Sequence, residues 1–316
     1  MKFSKDFKEI KGDASFRKFY RNTKKNSIIV FANKEKTKNL LIYDSINKIL
    51  IKNNIIAPQL LSQNYKKNYI EIQDLGKKTI YQIFSNYKKK QYPIFKKAIN
   101  VLNKIQLVKD KKIKNFKNEF YLIKDYKNKI LLDEANLFSY WYVPKKLDKK
   151  KINIFKTKFN REIKLLLSKL HFKNDTFVHR DFHVSNLIVN SKNQIGLIDN
   201  QDALIGNKAY DLASLIDDVR YKTSNSLKEK VYNYYLMTNK KINADKFKND
   251  YDILSVLRNL KIIGIFMRLA ERDKKRKYLK LIPYAWNMID SRIGKNKDLV
   301  NLKLLLETNF PKFITK

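Results

Sequence analysis

The stretch His179-Arg180-Asp181-Phe182-His183-Val184-Ser185-Asn186, with Asp199 further along, has the residue types and spacing to do chemistry. A carboxylate such as Asp181 can take a proton from an attacking hydroxyl and hold that hydroxyl in line. The amide oxygen of Asn186 and the carboxylate of Asp199 are hard oxygen donors of the kind Mg²⁺ prefers. Leu187–Val189, a turn at Ser191–Asn193 and Ile195–Ile198 read as a β-hairpin. Such a hairpin would carry Asn186 at one end and Asp199 at the other, on rigid backbone. A different chemistry is also open: His179, Asp181 and His183 alternate, and on one face of a strand they could bind a transition metal. That reading leaves Asn186 and Asp199 without a role. His171, at the end of an apolar helix, reads as an ordinary helix-terminal residue.

The elements that must position this stretch change character along the chain. Phe16–Arg21 and Ser27–Phe31 look like short strands around the polar turn Asn22–Asn26. Leu40–Ile51 has helical spacing in Leu40, Leu41, Tyr43, Ile46, Ile49 and Leu50. Tyr69–Ile72 is a further strand, running into Asp74-Leu75-Gly76. From about Thr79 the periodicity turns helical, with helices predicted over Tyr92–Leu107, Glu119–Lys129, Leu131–Tyr142 and Phe155–Leu170. Phe177-Val178 and the hairpin interrupt this pattern, and helices resume from Tyr210. The expected fold class is α+β: a small β-rich N-terminal lobe over residues 1–76 and a large helical lobe over 77–316 with the hairpin embedded in it.

Composition bounds the partners. Hydrophobic residues make up 43% of the 316, which suits a folded core. No run approaches the ~18 apolar residues that a membrane helix needs, so membrane insertion is not expected. The first residues lack the apolar core of a signal peptide, and with no cysteine there is neither a disulfide framework nor a thiolate metal site. A soluble cytoplasmic protein is the plain expectation. The formal charge of +39 suggests nucleic acid. Its makeup argues against a specific nucleic-acid partner: only ten of the 69 basic residues are arginine, and the lysines are spread along the whole chain. Lysine accompanies abundant Asn and Ile, as an AT-rich coding bias would produce.

The stretch from His179 to Asn186 resembles the catalytic loop of the protein-kinase-like superfamily: His-Arg-Asp, four residues, then Asn, with a metal-binding Asp after the hairpin. His183 stands where serine/threonine protein kinases usually carry lysine, as in small-molecule kinases of the aminoglycoside phosphotransferase type. Other segments are similar to the bacterial N-acetylmuramate/N-acetylglucosamine anomeric kinases of that group. They are Gly12-Asp13-Ala14-Ser15-Phe16-Arg17, Glu71-Ile72-Gln73-Asp74-Leu75-Gly76, Ile198-Asp199-Asn200-Gln201-Asp202-Ala203, Tyr210-Asp211-Leu212-Ala213-Ser214-Leu215, and the block from Arg258 to Trp286. The resemblance covers nearly the whole chain and implies a protein-kinase-like two-lobed fold.

The resemblance implies ATP and Mg²⁺ as cofactors and a small-molecule sugar as acceptor, phosphorylated on its anomeric hydroxyl in cell-wall recycling. Asp181 is then the catalytic base, and Asn186 and Asp199 the metal ligands. Gly12, Asp13, Ala14, Ser15 and Arg17 fall at the phosphates; Glu71, Asp74 and Leu75 fall at the adenine edge. His183, Gln201 and Asp202 are candidates for contact with the substrate, though a solvated or structural role is open for the last two. His179 and Asp211 are expected to support the site structurally. Departures from the pattern are as informative. The third strand, Ser27-Ile28-Ile29-Val30-Phe31, lacks the superfamily's usual lysine, and Lys34 or Arg17 could reach the phosphates instead. Asn200 replaces a usual phenylalanine and Asn207 a usual proline. Two further readings remain: a kinase for another small alcohol, such as an aminoglycoside or a choline-like molecule, and a nucleic-acid-binding protein on an inactive kinase scaffold.

Overall fold

The computed structural model describes residues 6–10, 17–32, 38–86 and 91–314. The chain divides into two compact units. One holds residues 1–124 and 177–204, and the other holds 125–176 and 205–316. This division keeps the hairpin with the N-terminal sheet, unlike a lobe boundary drawn at residue 76.

The first unit is built on a five-stranded antiparallel sheet of β1 (Phe7–Ile10), β2 (Arg17–Asn22), β3 (Ser27–Ala32), β4 (Leu60–Asn64) and β5 (Tyr69–Gln73), in the order β1-β2-β3-β5-β4. The β2–β3 turn closes because Asn22 Oδ1 accepts from the backbone N–H of Lys24 and Lys25, an Asx-turn. Between β3 and β4 runs α1 (Asn39–Lys52). Its Leu40 and Tyr43 pack on Val30, Ala32, Ile70 and Ile72, one face of the alternating strands. In this sheet β1 and β4 fall outside the predicted strands: β1 is only four residues with half of them exposed, and β4 is an edge strand with polar Ser62, Gln63 and Asn64.

α2 (Ile80–Asn86) and α3 (Gln91–Gln106) follow, the latter burying Phe95, Ala98, Ile99, Leu102 and Ile105 at helical spacing. The helix predicted over Glu119–Lys129 is corrected by the structure. β6 (Lys112–Lys114) and β7 (Phe120–Leu122) form a hairpin there. Asn118 in the left-handed region makes the turn, and Asn115 Oδ1 accepts from the N–H of Lys117 and Glu119. Phe120 and Leu122 face out while Tyr121 and Ile123 turn in, so the true period is two. The apolar cluster looked helical only because its alternation is short.

The second unit is helical. It contains α4 (Asn128–Leu137), continued by a wider-wound segment Phe138–Tyr142, and then α5 (Lys149–Ser168). β8 (Thr176–Val178), β9 (Leu187–Val189), β10 (Ile195–Leu197) and β11 (Leu204–Gly206) lie along the return into the first unit and its exit. The second unit resumes with α6 (Ala209–Ile216), α7 (Asn225–Thr238), α8 (Ala244–Glu271), α9 (Ile282–Ile293) and α10 (Val300–Asn309). α8 is buried along most of its length, as a central helix must be. Phe138, Tyr142, Phe155, Phe159, Trp286 and Phe310 pack around one another, and Trp286 Nε1–H donates to the Tyr142 hydroxyl at 3.2 Å. Burial disfavours ionisation of Asp217, yet Arg292 and Lys228 outweigh it and hold the carboxyl well below its usual range.

Gly264 lets α8 cross α4 at close range: a Cβ there would collide with the Leu137 carbonyl and the Phe138 backbone nitrogen. Backbone cannot move aside as a side-chain tip can. Gly264→Ala is therefore expected to lower the unfolding free energy by about 1–3 kcal/mol. Urea unfolding followed by far-UV circular dichroism measures it, and an unchanged midpoint would show that the helices have room to part.

Candidate active site

β9 and β10 pair with Leu187 opposite Leu197 and Val189 opposite Ile195. Asn193 in the left-handed region and Asn190 Oδ1, accepting from Gln194 N–H, close the turn. At the open end the Ile198 N–H donates to the Asn186 carbonyl at 3.1 Å, so Asn186 is brought next to the strand that ends at Asp199. The preceding loop folds on itself. Asn186 Nδ2 donates to the Asp181 carbonyl at 3.1 Å, His183 N–H donates to that carbonyl at 2.9 Å, and Asn186 N–H donates to the His183 carbonyl. The spacing from Asp181 to Asn186 is thus a closed turn, with the Asn side chain tied to the backbone of the Asp.

Asp199 itself lies in the left-handed region, at φ 64°. For a residue other than glycine this conformation is strained, and here it aims the carboxylate off the end of the strand. Burial raises the carboxyl above its usual range; Arg17 pulls it down, while the neighbouring Asp181 and Asp202 push it up again. Arg17 Nη2 donates to Asp199 Oδ1 at 2.8 Å, and its Nη1 donates to Asn39 Oδ1 at 3.2 Å. The guanidinium is buried between the rings of Phe19 and Tyr43.

Of the two basic residues named as possible stand-ins for the missing lysine of the third strand, Arg17 is the one among the described residues. It sits on β2 directly across from Ala32 of β3, and directly opposed residues share a face of the sheet. Lys34, the other candidate, lies outside the described residues, as do Gly12, Asp13, Ala14 and Ser15.

The remaining candidates take distinct places. Glu71 lies inside the ladder of β5, in register with Ile29 and Ser62, and its carboxylate accepts from the hydroxyls of Ser27 and Ser62. Asp74 is gripped by Arg21, whose Nε and Nη2 donate at 2.5 and 3.0 Å, and it accepts from Gly76 N–H at 2.9 Å. Arg21 also reaches the Gly76 carbonyl. Gly76 has φ +124°, a conformation side chains rarely adopt, so Leu75 sits in a turn clamped on both sides.

Gln201 is buried; its Nε2 donates to Asp202 Oδ2 at 2.6 Å, while its Oε1 accepts no hydrogen bond among the described residues. Arg180 Nη1 donates to the Asp202 carbonyl at 3.1 Å. His183 is buried beside Asn186, and His179 is buried with Nε2 against Asn200 and the Ile198 carbonyl. Asp211 lies buried in α6 of the second unit. Asn207, the other departure, has a structural role: Oδ1 accepts from Ala209 N–H at the start of α6, and Nδ2 donates to Asp250 Oδ2.

The donor set suits a hard divalent cation. Asn186 Oδ1 and Asp199 Oδ2 are oxygens that accept no hydrogen bond among the described residues, and carboxylates crowd around Asp199. Among those residues no cluster of three His, Cys, Asp or Glu forms a metal site. His179 Nε2 faces Asn200 and the Ile198 carbonyl, and His183 Nε2 faces Asn186.

Sequence reading missed Asn39, Tyr43 and Asn47 of α1. The signal was there for Asn47: a polar residue on the same helical face as Tyr43 and Ile46 needs a partner inside.

Solved structures share this architecture. A choline/ethanolamine kinase family protein from Mesorhizobium loti matches with a TM-score of 0.64 over 96% of this chain and 93% of that one, at 10% identity. The fold is therefore kinase-like, with a β-sheet N-terminal region and a helical C-terminal region. The model of the phosphotransferase enzyme family matches residues 6–244, and the chain belongs to that family. It is similar to the N-acetylmuramate/N-acetylglucosamine kinase of Pseudomonas putida, at 26% identity over 93% of this chain and 85% of the relative. The enzyme of the same name from Neisseria meningitidis serogroup B is 27% identical over 93% of this chain and 87% of its own length. The chain is a small-molecule kinase with an alcohol as acceptor. No described helix is long and apolar enough to cross a membrane.

Because Arg17 lowers the Asp199 carboxyl, Arg17→Gln is expected to raise its titration to higher pH in the free protein. Carboxyl ¹³C shifts followed against pH read this directly. An unchanged or lowered titration would mean that the pair contributes nothing to the charge on Asp199.

Proposed function

We propose that the protein uses ATP and Mg²⁺ to phosphorylate the anomeric hydroxyl of N-acetylmuramate or N-acetylglucosamine, as a cytoplasmic enzyme of cell-wall recycling. The observation that carries the reading is the closed loop from Asp181 to Asn186, joined through Ile198 to Asp199. The choice of sugar is supported by the names of relatives similar along 93% of the chain.

When bound, the magnesium nucleotide supplies the phosphoryl group and balances the charge that builds up during its transfer. Asp181 accepts the proton of the sugar hydroxyl and holds the oxygen in line. An anomeric hydroxyl is more acidic than an ordinary alcohol, so modest basicity suffices. Asn186 and Asp199 would hold the metal through Oδ1 and the carboxylate. Arg17 provides the positive charge that the third strand lacks, and Gly12, Asp13, Ala14 and Ser15 would cover the phosphates. The clamped turn Asp74–Gly76 borders the adenine in this reading. The open Oε1 of Gln201 suits a sugar hydroxyl as donor, with Asp202 held at its Nε2, and His183 is a further candidate for contact with the sugar. The net charge of +39 favours a neutral or acidic acceptor over a cationic one such as choline.

The test is phosphoryl transfer from ATP to N-acetylmuramate, N-acetylglucosamine, an aminoglycoside and choline, with and without Mg²⁺. Magnesium-dependent formation of a sugar 1-phosphate is expected, and relative kcat/KM separates the two sugars. Asp181→Ala should lose about 10²–10⁴-fold in kcat with its thermal unfolding unchanged. Transfer to the aminoglycoside or choline alone would move the acceptor, and near-normal turnover by Asp181→Ala would remove the base.

A further inference from the structure

Three buried polar side chains run in line from α1 to the catalytic loop. Asn200, fully buried, donates from Nδ2 to Asn47 Oδ1 at 2.8 Å and to the Leu197 carbonyl at 3.2 Å. Its Oδ1 stands 2.8 Å from His179 Nε2, which also lies 3.2 Å from the Ile198 carbonyl. The polarity of the line follows from these partners. A carbonyl oxygen only accepts, so the side of Asn200 facing Leu197 is its amide nitrogen, and the side facing His179 is its oxygen. His179 Nε2 then faces two acceptors and must carry its proton. At the far end Asn47 hydrogen-bonds the buried Tyr43 hydroxyl one turn earlier on α1.

We propose that Asn47, Asn200 and His179 form a hydrogen-bonded positioning link, through which α1 sets the placement of the catalytic loop and of Asp199. The placement of its members supports this role. His179 is two residues before Asp181, and Asn200 immediately follows Asp199. The hydrogen bonds of His179 and Asn200 are therefore anchored on the backbone that carries the two carboxylates. Arg17 ties the start of α1 to Asp199 through Asn39, so the helix is fastened to the site at two levels.

An apolar trio of similar volume would satisfy burial without fixing orientation, since replacing both partners of a buried hydrogen bond by apolar groups is nearly neutral for stability. Three amide and imidazole groups with one consistent direction of donation fix orientation as well. This explains why Asn200 stands where the pattern has phenylalanine: its partner Asn47 is polar too. The link acts through other residues and touches no reacting atom. It rests on the phosphotransfer reading for its effect on rate, but its structural part can be tested without turnover.

The experiment uses Asn47→Leu, Asn200→Leu and the double variant in the full-length protein. Asn47 bonds Asn200 and not His179 among the described hydrogen bonds, so the ring ¹⁵N and Nε2–H resonances of His179 report transmission along the link. The wild type is expected to show the Nε2–H tautomer, and Asn47→Leu to shift that resonance. With the acceptor that the wild type phosphorylates, each Leu variant should lose between about tenfold and a hundredfold in kcat at similar nucleotide Kd. The double variant should lose no more than the worse single one.

A His179 resonance indifferent to Asn47→Leu would overturn the link. So would a lowered Tm with kcat unchanged, or losses that multiply in the double variant. If the wild type transfers to no acceptor, the functional reading fails separately, and the His179 resonance still decides the link. Should the Leu variants not fold, Asn47→Ala, too short to reach Asn200, carries the same two readouts.

Discussion

Asp181, Asp199 and Asp202 lie close enough for each to raise the cost of ionising the middle one. Such crowding of like charge is tolerated only where a cation answers it. In the structure the answer is Arg17, whose guanidinium reaches Asp199 from β2 and is itself buried against Tyr43 and Phe19. The left-handed backbone at Asp199, the closed turn before Asn186 and the tie between Asn39 and Arg17 all serve this one concentration of charge. The arrangement gathers the carboxylates and the buried cation that answers them within one compact unit.

Opposed residues of an antiparallel pair point to the same side, so Arg17 and Ala32 share a face of the sheet. Arginine suits this position because its planar fork can engage a carboxylate and an amide oxygen at once, as it does with Asp199 and Asn39. The same economy of partners explains α1. On this helix Asn39 accepts from the Arg17 guanidinium, Asn47 accepts from the Asn200 amide, and Asp44 pairs with Lys48 on its own helix.

Much of the site was legible because its spacing is local. Asp181 to Asn186 is one turn, and Asn186 to Asp199 is one hairpin; both close through hydrogen bonds between near neighbours. What could not be read has partners far away in sequence. Asn200 meets Asn47, and Arg17 meets Asp199, across most of the first unit's chain. No periodicity encodes such pairs; a polar residue on an apolar face says only that some partner exists. The predicted helix over Glu119–Lys129 failed for another reason. Three strand residues are too few to show their period against neighbouring aromatics, and the deciding signal was the Asn115–Asn118 turn. The segment from Glu71 to Gly76 was legible as a position, whereas the grip of Arg21 on Asp74 was not.

The basic residues divide by chemistry in a way the bare charge conceals. The ten arginines are a small minority, yet Arg17, Arg21, Arg180, Arg220 and Arg292 each bind a carboxylate or a carbonyl at a folded junction. Lys228 is the lysine recorded as buried among the described residues, held by Asp217. Most other lysine pairs are solvated, such as those of Lys24 with Asp6 and Lys38 with Glu119, and exposed pairs contribute ~0–1 kcal/mol. Arginine stands at several of the places where a planar, bidentate fork is used. On that argument the charge of +39 describes the solvent-facing surface, and the chemistry is described by the few cations that the fold holds in place.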